Sequence, residues 1–491
     1  MFRLSRRMNR PLRCPAVLLF HGALALSNCW LFPSPAHPAK TSPVPLPTST
    51  PTDEQVQTSD AIDPRTRNLA GDDERFRPEK QRKFSIGEIL VTVTGAIRFD
   101  ADLEDNFNLR STKKRDEASL TPRSNLNFIF DFPQGFSLFT EFRIEDDVKL
   151  EEGKKPRNTF QLQFRDFFGN FPLPFQVPTI LRIGRQQFFE PRRWLFNDRL
   201  DAIRLFLAPK PFKIEFAFST PVPDSGNRIR VFDNIFETRR QADFIVYGTM
   251  TTESKTTIGG YAIVRNDASS TDENPFWIGG RVFGKSRFKF GESPLLRPKI
   301  RFWFDAAFVG GTIKAKDIRG FAVDIGGTYI LRKVPFTPYG TLAYGFGSGD
   351  GNTSDGVDRN FRQTGFHGNS GKFGGVVNFD YYGVVIDPEL SNVHVYTAGI
   401  GFRPSPKSSV DVVYHHYAQD SASDEFRDFD LGTDPRGRNT DLGQEIDVVL
   451  GYREIQNMRI RLRSGYFIPG KAFGSRDDPA FGSQLDVQFS F

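Results

Sequence analysis

The sequence predicts an all-β protein, a transmembrane antiparallel β-barrel of about 18 strands of the outer-membrane porin type. Three observations predict it. From Phe84 onward, apolar and polar residues alternate with period two in run after run. Phenylalanine is in excess, with 51 residues against 12 Tyr and 4 Trp, yet mean hydropathy is only -0.42, and past residue 32 no apolar run is long enough for a spanning helix. The links between runs alternate short and long, as periplasmic turns and outer loops do in such barrels.

Residues 1–39 read as a secretory signal. Arg3 to Arg13 supply the positive region, Ala16 to Leu26 the apolar core, and Ala36 or Ala39 the end of a cleavage site. An uncleaved anchor helix is the rival; His21, Ser27 and Asn28 interrupt it. Arg3, Arg6, Arg7, Arg10, Arg13 and Lys40 equal the whole formal excess of +6, so residues 41–491 are formally neutral and give no reason to expect a nucleic-acid partner. Both cysteines, Cys14 and Cys29, lie in this segment, which leaves the rest without disulfide, thiolate metal site or cysteine nucleophile. Residues 40–83, rich in Pro, Ser, Thr and charge, read as a disordered periplasmic leader.

The barrel is expected over 84–491. Its strands are expected to start near Ile86, Arg123, Phe136, Phe160, Thr179, Leu200, Phe212, Ala242, Thr256, Pro275, Ile300, Gly320, Thr337, Val393, Ser409, Gln444, Met458 and Ser483. The pattern is clean in several. Leu126, Phe128, Phe130 and Phe132 oppose Asn125, Asn127 and Asp131, and Phe160, Leu162 and Phe164 oppose Gln161, Gln163 and Arg165. One face suits hydrocarbon and the other a watery lumen. Tight turns such as Pro133-Gln-Gly135 and Lys333-Val-Pro335 follow even-numbered strands, and long links such as 348–391 and 419–442 follow odd-numbered ones. Gly310 to Ile318 is short for an outer loop, and Gly284 to Pro298 long for a periplasmic turn. The chain ends on a strictly alternating strand, with Leu485, Val487, Phe489 and Phe491 on one face; a terminal Phe in this setting is similar to the strand that the bacterial barrel-assembly machinery recognises.

Parity turns a set of charged side chains inward: Arg98, Arg123, Arg143, Arg165, Arg182, Arg204, Arg301, Arg459, Arg461 and Arg463, with Asp201 and Asp305 assigned to the same solute pathway. Arg182 and Arg204 are the leading candidates; Arg185 falls on the opposite parity, at the rim. A guanidinium fork offers a carboxylate paired hydrogen bonds and stays charged, so neighbouring arginines would form a ladder for a sliding anion. The plainer role is bracing, because Asp131, Glu141, Glu145, Glu445, Asp447 and Asp486 share the interior and would pair with them.

The Arg182-Ile-Gly-Arg-Gln186 run, the Trp194…Asp198 loop, Leu200-Asp-Ala-Ile-Arg204, Gly347-Ser-Gly-Asp350, Pro388-Glu-Leu-Ser-Asn392 and Leu442-Gly-Gln-Glu-Ile-Asp447 with Gly451-Tyr-Arg453 resemble the alginate export family of outer-membrane barrels. The resemblance spans roughly 84–491. It implies an 18-stranded monomeric barrel and, for the family's type member, a passive pore for an anionic uronate polysaccharide with an arginine-rich constriction. It does not fix the solute.

Other motifs carry less. The loop from Gly345 to Asp358 has oxygen ligands suited to Ca²⁺ but departs from EF-hand spacing at Asp355 and Phe361, and reads as a solvated loop. His415 and His416 are adjacent and point to opposite strand faces, so they cannot chelate together. Trp194, with Arg192 and Arg193, suits either sugar stacking or the interfacial girdle. No serine, acid and histidine spacing commits a hydrolase, and no cofactor or metal site is expected. The expected function is a non-enzymatic outer-membrane pore for anionic solutes or polysaccharide. A generic or sugar-selective porin is the alternative within that class; a structural or enzymatic barrel with an occluded lumen is the alternative outside it. Expected partners are outer-membrane lipid, the barrel-assembly machinery through Phe491, and an anionic saccharide or small anion.

Overall fold

The computed structural model describes residues 82–113, 116–151, 157–221, 241–269, 272–287 and 298–491. The signal and nearly all of the leader expected from the sequence, with most of the long link before Pro298, lie outside these residues. The strands are β1 Ile89–Asp105, β2 Glu117–Asp131, β3 Ser137–Glu151, β4 Arg157–Leu173, β5 Thr179–Phe189, β6 Asn197–Leu207, β7 Phe212–Pro221, β8 Gln241–Thr251 and β9 Thr256–Asp267. They continue as β10 Glu273–Arg287, β11 Lys299–Ile313, β12 Lys316–Ile330, β13 Tyr339–Gly347, β14 Val393–Ser405, β15 Ser408–Ala418, β16 Asp441–Tyr452, β17 Met458–Pro469 and β18 Ala480–Ser490. Each pairs antiparallel with the next, and β1 pairs with β18 from Ala96↔Ser490 to Asp105↔Phe481, so the sheet closes as an 18-stranded barrel. Closure leaves no open edge among these strands, which is the condition for crossing lipid with β-structure.

Alternation decides which face meets lipid. Ile97, Phe99 and Leu103 on β1, Phe304 and Phe308 on β11, and Leu342 and Ile400 on β13 and β14 are exposed outward. Their neighbours Arg98, Asp100, Asp305 and Thr341 point inward and are largely shielded. The strand register shifts at three places among the described strands, at Phe402–Ser405, at Tyr417–Ala418 and at a bulge where Glu141 and Phe142 of β3 oppose Asp166 and Phe164 of β4 and Arg165 is the extra residue. Beyond the Arg165 bulge the parity of β4 reverses, so that Phe167 faces out and Phe168 in.

The seam is fastened at the end carrying the tight turns. A lead-in strand, Arg82–Ile86, folds back on Ile89–Val93. Directly above it, Phe491 and Gly95 exchange two backbone hydrogen bonds of 2.9 Å. The Phe491 ring lies over Gly95, where an added Cβ would stand 2.5 Å from Phe491 Cζ and 2.8 Å from the Asn125 carbonyl. Gly95→Ala should therefore overpack the seam, at a cost of about 1–3 kcal/mol. The expected result is a lower temperature of conversion from the folded to the unfolded band on a heat-modifiability gel. Adding Phe491→Ala should relieve part of the shift.

Between β13 and β14 the chain does not stay outside. Residues 348–392 fold into the barrel, pinned by a parallel pairing of Val357–Asp358 with β12 and carrying a two-residue hairpin of Ser370–Gly371 with Phe379–Asp380. Phe361, Phe366, Phe373, Phe379, Tyr381, Tyr382 and Leu390 pack with Trp194, Leu195 and Phe196 from the β5–β6 loop. The wall they meet is Trp277, Trp303, Val309, Val395, Val413 and Tyr417, with Trp303 stacked 5.8 Å from Phe373. The expectation of a uniformly watery lumen therefore fails over β6 to β16. An inserted segment with its own aromatic residues makes apolar side chains favourable on the wall it covers.

Candidate functional site

Polar residues concentrate on the rest of the wall, from β17 through β18 and β1 to β4. There they form a belt of ion pairs. Arg459 and Arg461 reach Asp486 at 2.9 and 3.7 Å, and Arg98 pairs with Asp486 and with Asp100 at 2.7 Å. Arg123 joins Asp100 at 3.2 Å to Glu145 at 2.9 Å, and Arg143 lies 3.6 Å from Glu145. Arg165 and Arg199 close on Glu141 at 3.8 and 3.7 Å, and Arg199 also meets Asp166 at 3.3 Å. The register sets this spacing, because Arg98 stands opposite Arg123 and Asp100 opposite Asp486 across the strand pairs.

A polar cavity of about 270 Å³ opens between this wall and the inserted loop. Arg98, Arg461, Arg463 and Gln484 border it from the wall, and Asp380, Val384 and Asp387 from the loop, with Arg193 and Asp430 contributed by two other outer loops. Arg463 is ion-paired with Asp380, Arg461 donates to the Asn378 carbonyl at 3.1 Å, and Arg193 donates to Ser370 Oγ at 2.7 Å. The wall arginines thus both hold the loop and line the space beside it.

The loop is also clasped by acids from the wall. Glu445 Oε1 accepts the N–H groups of Val384 and Val385 at 2.6 and 2.8 Å, and Oε2 that of Ile386 at 3.2 Å. Gly383, with φ +128°, makes the turn into this clasp; an added Cβ would sit 2.9 Å from Glu445 Oε2. Glu190 plays the same part for the β5–β6 loop, accepting from Arg192 at 2.9 Å and Leu195 at 3.2 Å while paired with Arg281 at 2.8 Å.

Of the twelve residues assigned to the pathway, Arg98, Arg461 and Arg463 border the cavity. Arg123, Arg143, Arg165 and Arg459 belong to the belt. Arg301 donates to the Phe373 carbonyl at 2.8 Å, and Asp305 is held by Arg281 at 2.7 Å and Arg192 at 3.4 Å, so both fasten the loops. Arg182 and Arg204 turn inward, but each is only 2 % exposed. Arg182 lies 4.2 Å over Phe168, and Arg204 lies 3.9 Å over Phe188 and is paired with Glu215 at 2.6 Å. Neither borders the cavity.

Asp201 is a correction. It sits three residues from Arg204, an odd separation that sends the two to opposite faces. It shares the outward parity of Ile203 and pairs with Arg185 at 2.9 Å. Trp194 is a second: it is 1 % exposed and stacks 6.2 Å from Phe361, away from both sugar and lipid. In the loop from Gly345 to Asp358, Asp355 pairs with Arg359 at 2.8 Å and Asp358 with Arg362, and no group of three metal-ligating side chains occurs among the described residues. The sequence reading missed Asp380, Asp387, Asp430 and the clasping role of Glu190, which depend on loops without periodicity. The available signal was the density of Phe, Tyr and Val between 373 and 386.

The order of these elements agrees with a known family whose model, described as alginate export, matches residues 90–484. The chain belongs to the alginate export family. The alginate production protein AlgE of Azotobacter vinelandii is 24% identical over 187 residues, which cover 34% of this chain and 38% of that protein. Among solved structures, the barrel is similar to the outer membrane protein OprD of Pseudomonas aeruginosa, with a TM-score of 0.54 and 14% identity over 82% of this chain and 93% of that one. It is also similar to OccK2 (OpdF) of the same organism, solved in complex with glucuronate, with a TM-score of 0.50 and 13% identity over 82% of this chain and 98% of that one. As a member of the alginate export family, the chain is an outer-membrane barrel of a Gram-negative bacterium, of porin-type architecture. Its lipid-facing surface is the outward aromatic and aliphatic set described above.

Proposed function

We propose that this barrel is a passive pore for anionic solutes, with uronate saccharides the leading class, and that it is a transporter rather than an enzyme. The observation that carries the reading is the placement of Arg98, Arg461 and Arg463 along one border of a polar cavity. Fixed guanidinium groups draw in carboxylates, and their existing bonds to Asp486, Asn378 and Asp380 keep them from holding an anion too tightly to release it. Family membership supports the pore and leaves the solute open. Glucuronate, found in complex with the OccK2 barrel, is a suitable probe.

The test is the reversal potential of single channels in a salt gradient. The wild type should prefer anions, and Arg461→Ala with Arg463→Ala should move the reversal potential toward cations. An unchanged potential would refute the role of these arginines. A second reading, an occluded structural barrel, draws on the depth of aromatic packing around the inserted loop; absence of any conductance would favour it. The terminal strand, with Phe491 bonded to Gly95, supports recognition by the barrel-assembly machinery, since it presents one regular alternating edge until β1 arrives.

A further inference from the structure

The cavity is not lined by one sign of charge. Asp380, Asp387 and Asp430 line it together with the arginines. Asp380 is neutralised by Arg463. The other two are less well matched: Asp387 shares the charge of Arg463, which Asp380 already holds, and its Oδ1 is buried with no hydrogen-bond partner. Both sit on outer loops folded into the barrel, and the Asp430 N–H bonded to the Ile386 carbonyl at 3.1 Å ties one loop to the other. A buried carboxylate oxygen without a hydrogen bond is costly, and at Asp387 the neighbouring negative charge of the more exposed Asp430 adds to that cost. Burial, and after it the charge of Asp380, pushes the Asp430 carboxyl up to about 7; burial with Asp380 and Asp430 pushes Asp387 up as well. A small cation would relieve both. No group of three metal-ligating side chains is present among the described residues, so an organic ammonium fits this pair better than a coordinated metal ion.

We propose that Asp387 and Asp430 form a cation subsite in the cavity that Arg98, Arg461 and Arg463 also line, so that the pore favours solutes carrying an ammonium as well as a carboxylate. The class is the small hydroxylated zwitterion, such as an amino sugar acid. The carboxylate end is held by the arginines of the proposed anion pathway, on which this inference rests. The ammonium end donates to the unsatisfied Oδ1 of Asp387 beside the carboxylate of Asp430.

A matched pair of solutes tests it: gluconate, and 2-amino-2-deoxygluconate, which differs by one ammonium for one hydroxyl. Liposome swelling at pH 8 should be several-fold faster with the amino compound through the wild-type barrel. In Asp387→Asn with Asp430→Asn the preference should vanish, with gluconate entering at least as fast as before. Asparagine is the fitting replacement because Asp387 has φ +30°, near the left-handed region that asparagine tolerates. Equal rates in the wild type, or a preference that survives the double substitution, would overturn the subsite. A barrel that conducts ions and is indifferent between the solutes loses the subsite alone, whereas one that conducts nothing loses the pore as well.

Discussion

Replacing Glu445 with alanine should unfasten the inserted loop. Its carboxylate accepts three consecutive backbone N–H groups, from Val384, Val385 and Ile386, in a region where each of those residues is buried. Without it Val385 and Ile386 lose their acceptor, and Val384 is left with the neighbouring Asp447 carboxylate. A buried donor without an acceptor costs about 1–3 kcal/mol, so with two donors orphaned the segment 384–386 loses about 2–6 kcal/mol of attachment, less where water enters the gap. The loop also closes the space beside Arg461 and Arg463, so its loosening should read out electrically. Single-channel records of Glu445→Ala should show flicker and a higher mean conductance than wild type, and protease added from the outer side should cut near 384–386. Glu445→Gln keeps one acceptor oxygen and should fall between. Quiet, wild-type currents in the alanine variant would show that the aromatic packing alone holds the loop.

Arg281→Met should be the most destabilising single change in the wall. Arg281 is almost fully buried, and it bridges Asp305 at 2.7 Å and Glu190 at 2.8 Å. Methionine fills similar volume but leaves two carboxylates short of their main cation. Asp305 keeps only the longer contact with Arg192, at 3.4 Å. Breaking a buried pair in this way costs about 3–5 kcal/mol. The folded band on a heat-modifiability gel should convert at a clearly lower temperature. Adding Asp305→Leu, which removes one of the orphaned charges, should recover part of the loss, because an apolar pair of similar size is tolerated where a single charge is not. Equal melting of all three proteins would mean that water reaches this cluster and screens it.

The strands were legible in the sequence because lipid imposes its rule locally. Most lipid-facing residues must be apolar whatever lies inside, so the period-two signal survives along most strands, with outward exceptions such as the Arg185–Asp201 pair. The expected starts at Thr179, Phe212, Thr256, Val393 and Met458 coincide with the observed ones, and the largest offset is at β2, expected near Arg123 and found at Glu117. The short link before Ile318 is likewise a genuine outer connection, a two-residue turn between Ile313 and Lys316. The interior was less legible because nothing local dictates it. Whether Arg182 borders a cavity or lies beneath Phe168 depends on a loop that approaches from elsewhere in the chain. Parity placed Arg98, Arg461 and Arg463 inward, which is what brings them to the cavity, but it is silent on Asp387 and Asp430, which no strand carries. Asp201 failed for a simpler reason, since it and Arg204 cannot share a face of one strand.

The inserted loop gives the barrel two solvents. Its outer surface rests in hydrocarbon, where denaturant has little to act on, while the packing of Phe361, Phe373 and Phe379 against Trp277 and Trp303 excludes water as the core of a soluble protein does. Opening that inner core wets apolar surface and so raises the heat capacity, which sliding strands past lipid does not. The interior is therefore the urea-sensitive and strongly temperature-dependent part of the molecule, and the wall can outlast it as an emptied cylinder.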